Sequence, residues 1–278
     1  MSAVRGSENP RDGCERRFDD RLAYEREKAI FIAAVGLVPE LLKFNDTDCT
    51  LSIQKTGDKT AQGLINSEEN IDVQHSILCA CLDDLLKFQD RIRDVQLPMW
   101  NREKYVQEAR TNLEWMQKNW GAAPEEVKEM MAYAGPLALR NTHGDYRAKN
   151  IKLVGERRRI GDVPRIRYGP VALDTLFAGE RRYITDFTHA AYGPPALDLV
   201  KLSYDCAINT ELLNRLDLVG RAHEFGITTH EEMQFFTAAE HLYMARQCAE
   251  SQTLPPKECK QADQFIQDIL RLSESGFV

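Results

Sequence analysis

The sequence has no long hydrophobic run. Its longest uncharged apolar stretch is Ala29–Pro39, eleven residues, where a membrane-spanning helix needs about twenty. Residues 1–28 are polar and charged and carry no hydrophobic leader, so the expectation is a cytoplasmic protein that does not enter a membrane. The seven cysteines form no CxxC pair and no even framework, which reads as reduced thiols rather than disulfides. Cys79 and Cys81 stand two apart, the wrong spacing for a zinc knuckle. HExxH and GxSxG are both missing, and with them the zincin and nucleophile-elbow hydrolases. A formal charge of −7 argues against a protein that coats nucleic acid. What is present is ordinary for a folded chain: 278 residues, 43% hydrophobic and 28% charged, enough for one large domain or two lobes.

Periodicity then divides the chain. The first twenty residues, with Gly6, Pro10, Gly13 and many charges, read as loosely ordered. A helix is expected from Leu22 to about Val35, and Thr50–Gln54 alternates as a half-buried strand does. Lys55 to Asn70 is polar and reads as a linker or hinge. Beyond it, Leu78, Cys81, Leu82, Leu85 and Leu86, and then Tyr105, Ala109, Leu113, Met116 and Trp120, recur at helical spacing. Thr229 with Glu232 forms a capping-box pattern ahead of Phe235, Ala238 and Leu242. Ala262, Phe265, Ile266, Ile269 and Leu270 mark a last amphipathic helix. Between the two helical blocks, residues 137–187 form a strand-and-loop region.

That region holds three short motifs in order. His143-Gly144-Asp145 sits in a polar loop between apolar segments, with Asn150 five positions after the aspartate. Arg182–Phe187 reads as a strand ending in Asp186. Gly193-Pro194-Pro195-Ala196-Leu197-Asp198-Leu199 follows. Taken singly, HGD is a turn whose glycine supplies a positive φ, the acid is a strand end and the diproline is a rigid loop. Together, on loop, strand end and helix start, they resemble the catalytic loop and metal-binding segment of the aminoglycoside phosphotransferase and choline kinase branch of the protein-kinase-like fold.

The resemblance implies an α+β chain: a small, reduced N-terminal α/β lobe over residues 1–57 and a larger, mostly helical C-terminal lobe over 58–278. It implies transfer of a phosphoryl group from ATP or GTP, with Mg²⁺, to a hydroxyl of a small polar molecule. Asp145 would be the catalytic base, and Asn150 and Asp186 the metal ligands. Asp198 would brace the catalytic loop, with His143 in support. The chemistry suits these types. Phosphoryl transfer needs an in-line hydroxyl, an acid to receive its proton and neutralised phosphates, and Mg²⁺ prefers hard oxygen donors.

The N-terminal third departs from the pattern. Glu27 (or Glu25) stands where the family has its helix glutamate, but no lysine precedes Lys28 and no GxGxxG occurs. Arg16 and Arg17 are the candidates to face the nucleotide in place of the lysine; otherwise they are solvated charges. The basic run Arg157, Arg158, Arg159, Arg165, Arg167, Arg181 and Arg182 reads as an exposed hairpin or an anion-binding arm. Glu231, Glu232 and Glu240 are candidates to meet a cationic acceptor, and His189 to lie near the metal or pack in its loop. Two classes therefore stay open. One is a small-molecule kinase. The other is a pseudokinase or binding module without an effective nucleotide clamp, its N-terminal region open to a protein partner.

Overall fold

The computed structural model describes residues 13–120, 128–129, 131–155, 181–206, 212, 215–216, 218–227 and 229–250. The chain divides into two compact units, Met1–Leu97 with Ala148–His189, and Pro98–Arg147 with Ala190–Val278. The helix expected over 262–270 and the run from Arg157 to Arg167 lie outside the described residues.

In the first unit, strand β1 (Gly13–Arg17) precedes helix α1 (Arg21–Ala33), and strands β2 (Leu41–Asn45) and β3 (Thr50–Gln54) follow. The three form an antiparallel sheet in the order β1-β3-β2. β3 has the expected bounds because its Leu51 is buried while its neighbours are partly covered. β1 corrects the expectation of a loose terminus. Its GCERR sequence has no apolar alternation, and it is a strand because it pairs with β3 from Gly13↔Gln54 to Arg17↔Thr50. Asp20 caps α1 by accepting from the Leu22 amide at 2.9 Å, and the helix buries Tyr24, Glu27, Ile30 and Phe31.

The expected linker over 55–70 holds a helix, α2 (Ala61–Ser67), started by Thr60, whose hydroxyl accepts from the Gly63 amide at 3.0 Å. Helix α3 (Ile71–Arg91) buries Leu78, Cys81, Leu82, Leu85 and Phe88 along one stripe. A single 3₁₀ turn, Ala148–Asn150, leads into β5 (Ile151–Val154), which pairs with β6 (Arg181–Ile184). The Leu153 amide donates to the Lys59 carbonyl and the Ile184 amide to the Leu37 carbonyl, which ties this hairpin to the rest of the unit. Phe187 closes the core: it stacks on Phe88 at 5.6 Å and meets Phe31 edge-on at 5.5 Å.

In the second unit, α7 (His230–Glu250) packs on α4 (Arg102–Trp120) and on α5 (Pro195–Cys206), and α5 packs on α6 (Leu218–Glu224) and on β4 (Arg140–Thr142), which pairs with β7 (Ala191–Gly193) in a two-stranded ladder. Trp100, Tyr105, Phe235 and Phe236 form an aromatic cluster. A Cβ at Gly193 would lie 2.8 Å from the Trp100 Cβ, so only glycine allows that approach. The capping box closes only by half. Thr229 Oγ1 accepts from the Glu232 amide at 3.3 Å, but the Glu232 carboxylate is buried and accepts from the Ala138 amide.

Candidate active site

In the second unit, β4 delivers the loop His143-Gly144-Asp145. Gly144 has φ +78°, the conformation for which glycine is suited. The fully buried Asp198, in the first turn of α5, receives two backbone donors from this loop: the His143 amide reaches Oδ2 and the Gly144 amide Oδ1, each at 2.8 Å. Burial pushes the Asp198 carboxyl up, against the pull of His143, the loop amides and Lys201. His143 is itself fully buried, its ring edge-on to Tyr146, and its Nδ1 accepts from the Asp145 amide at 3.3 Å.

Two cations meet the Asp145 carboxylate. Arg147 Nε donates to Oδ1 at 3.0 Å, and Lys201 Nζ lies 3.2 Å from the same oxygen. Burial alone would raise the Asp145 pKa, but Lys201 and Arg147 outweigh it and hold the carboxyl well below the usual carboxylate range. Arg147 also donates to Glu240 Oε2 at 3.1 Å, and the Tyr105 hydroxyl donates to Glu240 Oε1 at 3.1 Å. Glu240 is thus engaged with Arg147 and Tyr105, Glu232 is buried on the Ala138 amide, and Glu231 is exposed.

The first unit holds the other sequence candidates. The Asn150 carbonyl accepts from both the amide and the hydroxyl of Thr185, each at 2.9 Å. With Ile151 paired to Ile184, these bonds set Asn150 beside the strand end that carries Asp186. Asp186 has φ +68°, a left-handed conformation that costs a non-glycine residue about 1–3 kcal/mol. Its Oδ1 accepts from the Thr188 hydroxyl at 2.9 Å. Among the described residues, no group of three His, Cys, Asp or Glu side chains gathers to hold a metal. An amide and a carboxylate on adjoining backbone nevertheless fit Mg²⁺, which usually takes one or two protein oxygens and completes its shell with phosphates and water.

Arg16 Nη1 donates to Glu27 Oε2 at 2.8 Å, joining β1 to α1. Glu27 is buried; burial raises its pKa against the nearby Arg16 and Arg26, and Asp186 adds to the rise. Arg17 is exposed on the following position of the strand, which points to the opposite face. Arg182 donates through Nη2 to Asp84 Oδ1 at 3.1 Å, so this arginine of the basic run braces β6 against α3. His189 is exposed.

The sequence matches no protein-family model and no curated protein. Solved structures do resemble it. A glucosamine kinase aligns at a TM-score of 0.57 with 11% identity, over 89% of this chain and 69% of that one. A provisionally assigned aminoglycoside phosphotransferase from Ralstonia eutropha aligns at 0.53 with 11% identity, over 99% of this chain and 96% of that one. A thermostable mutant of the aminoglycoside phosphotransferase APH(4)-Ia aligns at 0.51 with 13% identity, over 94% of this chain and 86% of that one. The fold is protein-kinase-like. At such identities the likeness establishes architecture, α+β with a small sheet and a helical portion, and the resemblance of the three motifs is supported at that level. Among the described residues, no helix is long and apolar enough to cross a membrane.

Sequence reasoning missed Arg147, Lys201 and the engagement of Glu240. Arg147 lies two residues after Asp145, and Lys201 lies one helical turn after Asp198, on the same face of α5. That spacing was the available signal. Nothing local marks Glu240, 93 positions from Arg147.

Proposed function

We propose that this chain is a Mg²⁺-dependent phosphotransferase that moves the γ-phosphoryl group of ATP or GTP to a hydroxyl of a small polar molecule. The observation that carries the reading is the Asp145 carboxylate. It stands at the end of a glycine turn anchored by Asp198 and is kept ionised by Arg147 and Lys201.

In the proposed reaction the acceptor oxygen forms a bond to phosphorus, the bond from phosphorus to the bridging oxygen breaks, and the nucleoside diphosphate leaves. The acceptor proton passes to Asp145. A weak base suffices, because in a loose transfer the hydroxyl becomes strongly acidic only as its bond to phosphorus forms. Asn150 and Asp186 are the residues that would hold magnesium, which neutralises phosphate charge when bound. Arg16, held by Glu27, takes the place of the missing lysine as a cation toward the nucleotide, and its planar fork suits phosphate. Arg17 points to the other face of β1 and is the weaker candidate.

The pseudokinase reading draws on the lack of GxGxxG, and nucleotide binding separates the two. With ATP or GTP and Mg²⁺ at a hundred times the dissociation constant, the folded state gains about 2.7 kcal/mol, and the melting temperature rises accordingly. Omitting Mg²⁺ or changing Asp186→Ala is expected to remove most of that rise. Arg16→Ala is expected to weaken nucleotide affinity about tenfold, as loss of one charged hydrogen bond does, and Arg16→Lys to restore part of it. No rise with either nucleotide favours the binding module.

A further inference from the structure

Helix α5 does more to the loop than Asp198 alone explains. Asp198 and Lys201 stand three residues apart and project from the same face. Asp198 accepts the His143 and Gly144 amides, while Lys201 Nζ donates to the Gly144 carbonyl at 2.8 Å and lies 3.2 Å from Asp145 Oδ1. One helical turn thus holds Gly144 by its amide and its carbonyl, and grips the next side chain as well. The lysine side chain is only 14% exposed, and ordering so long a side chain costs entropy that a solvated surface lysine does not lose.

We propose that Lys201 is the positioning residue of the transfer, holding the Asp145 carboxylate and the backbone before it in place from α5. The proposal rests on Asp145 as the base and adds a group that the motifs do not include.

The division of labour between the two cations follows from their partners. Arg147 is shared with Glu240, which Tyr105 also binds, so much of its charge is already answered within that network. Lys201 gives its other hydrogen bond to a neutral carbonyl, and its charge is felt by Asp198 as well as by Asp145. Among the described residues, the charged and titratable groups on and next to Asp145 include His143 of the loop, Arg147, Asp198 and Lys201 of α5, and, through Arg147, Glu240 of α7 and Tyr105 of α4. Of these, Lys201 and Arg147 favour the carboxylate, and Lys201 also fixes the backbone just before it.

The sign of the effect is fixed. Asp145 has a depressed pKa in the folded chain, so the stability it confers is present above the ordinary aspartate value of about 3.9 and is lost as the pH falls toward its lowered folded value. Without the lysine, that loss begins at higher pH.

The test follows the Asp145 carboxyl carbon by ¹³C NMR in the full chain. Its signal is assigned by its disappearance in Asp145→Asn. In the wild type it should stay ionised well below about pH 3.9. In Lys201→Met the midpoint should rise by about one unit or more, the scale for losing an adjacent opposite charge, and Lys201→Arg should keep it low. Lys201→Gln, polar and uncharged, serves if the methionine variant does not fold. With MgATP and an acceptor, Lys201→Met should lower kcat, leave the KM for MgATP unchanged and move the acid limb of the profile up, and Lys201→Arg should restore it. An unmoved midpoint in Lys201→Met or Lys201→Gln, or a wild-type Asp145 that titrates as an ordinary aspartate, overturns the assignment. The titration is read without turnover, so a chain that transfers no phosphoryl group leaves this arm intact and refutes only the proposed reaction.

Discussion

Asp145→Asn is expected to lower phosphoryl transfer by about a hundredfold or more, the scale on which removing a general base acts, while MgATP affinity stays at the wild-type level. The amide keeps the shape of the side chain and the loop keeps its anchor on Asp198, so the loss should fall on kcat. The variant also leaves Lys201 and Arg147 facing a neutral group, and a melting curve run beside the kinetics separates any loss of folded protein from loss of chemistry. Turnover near wild type, with the variant folded, removes Asp145 from the mechanism.

The second large effect is on stability. Asp198 is fully buried, and each of its carboxylate oxygens accepts one backbone amide of the loop. Asp198→Ala orphans both amides. A buried donor without a partner costs about 1–3 kcal/mol, so the variant should lose about 2–6 kcal/mol in urea unfolding, a large share of an ordinary stability of about 5–15 kcal/mol. Asp198→Asn can still accept one amide through its carbonyl oxygen, but its NH₂ group cannot accept the other. It should lie between alanine and wild type. A loss under about 1 kcal/mol in the alanine variant would show that the loop does not depend on this anchor.

How far the molecule was legible from its sequence depended on where the determining interactions lie. β3 and α3 were legible because one buried face imposes a period: Leu51 inside a short alternating strand, and Leu78, Leu82, Leu85 and Phe88 along a helical stripe. β1 was not, because Gly13–Arg17 carries no apolar pattern and becomes a strand through pairing with residues 33 (Arg17↔Thr50) to 41 (Gly13↔Gln54) positions later. Nor was α2, seven residues with a glycine and an asparagine, held by a threonine cap and the burial of Ala61 and Ile65. The loop of Asp145 and the distant Asp198, 55 positions from His143, stood out through the family resemblance that their motifs carry. The cations that tune Asp145 did not, since an arginine and a lysine on exposed-looking stretches read as surface until folding brings them to one carboxylate. Arg16 is the same case: a residue of a ragged, charged terminus by sequence, and the partner of a buried Glu27 in the fold.

Phosphoryl transfer itself is tested by incubating the full chain with Mg²⁺, ATP labelled at the γ-phosphoryl group and a panel of amino sugars, aminoglycosides and amino alcohols. Label is expected on at least one hydroxyl-bearing acceptor, lost when Mg²⁺ is chelated and in Asp145→Asn. A folded chain that binds MgATP but moves no label to any acceptor, nor to water, is not a phosphotransferase of this kind.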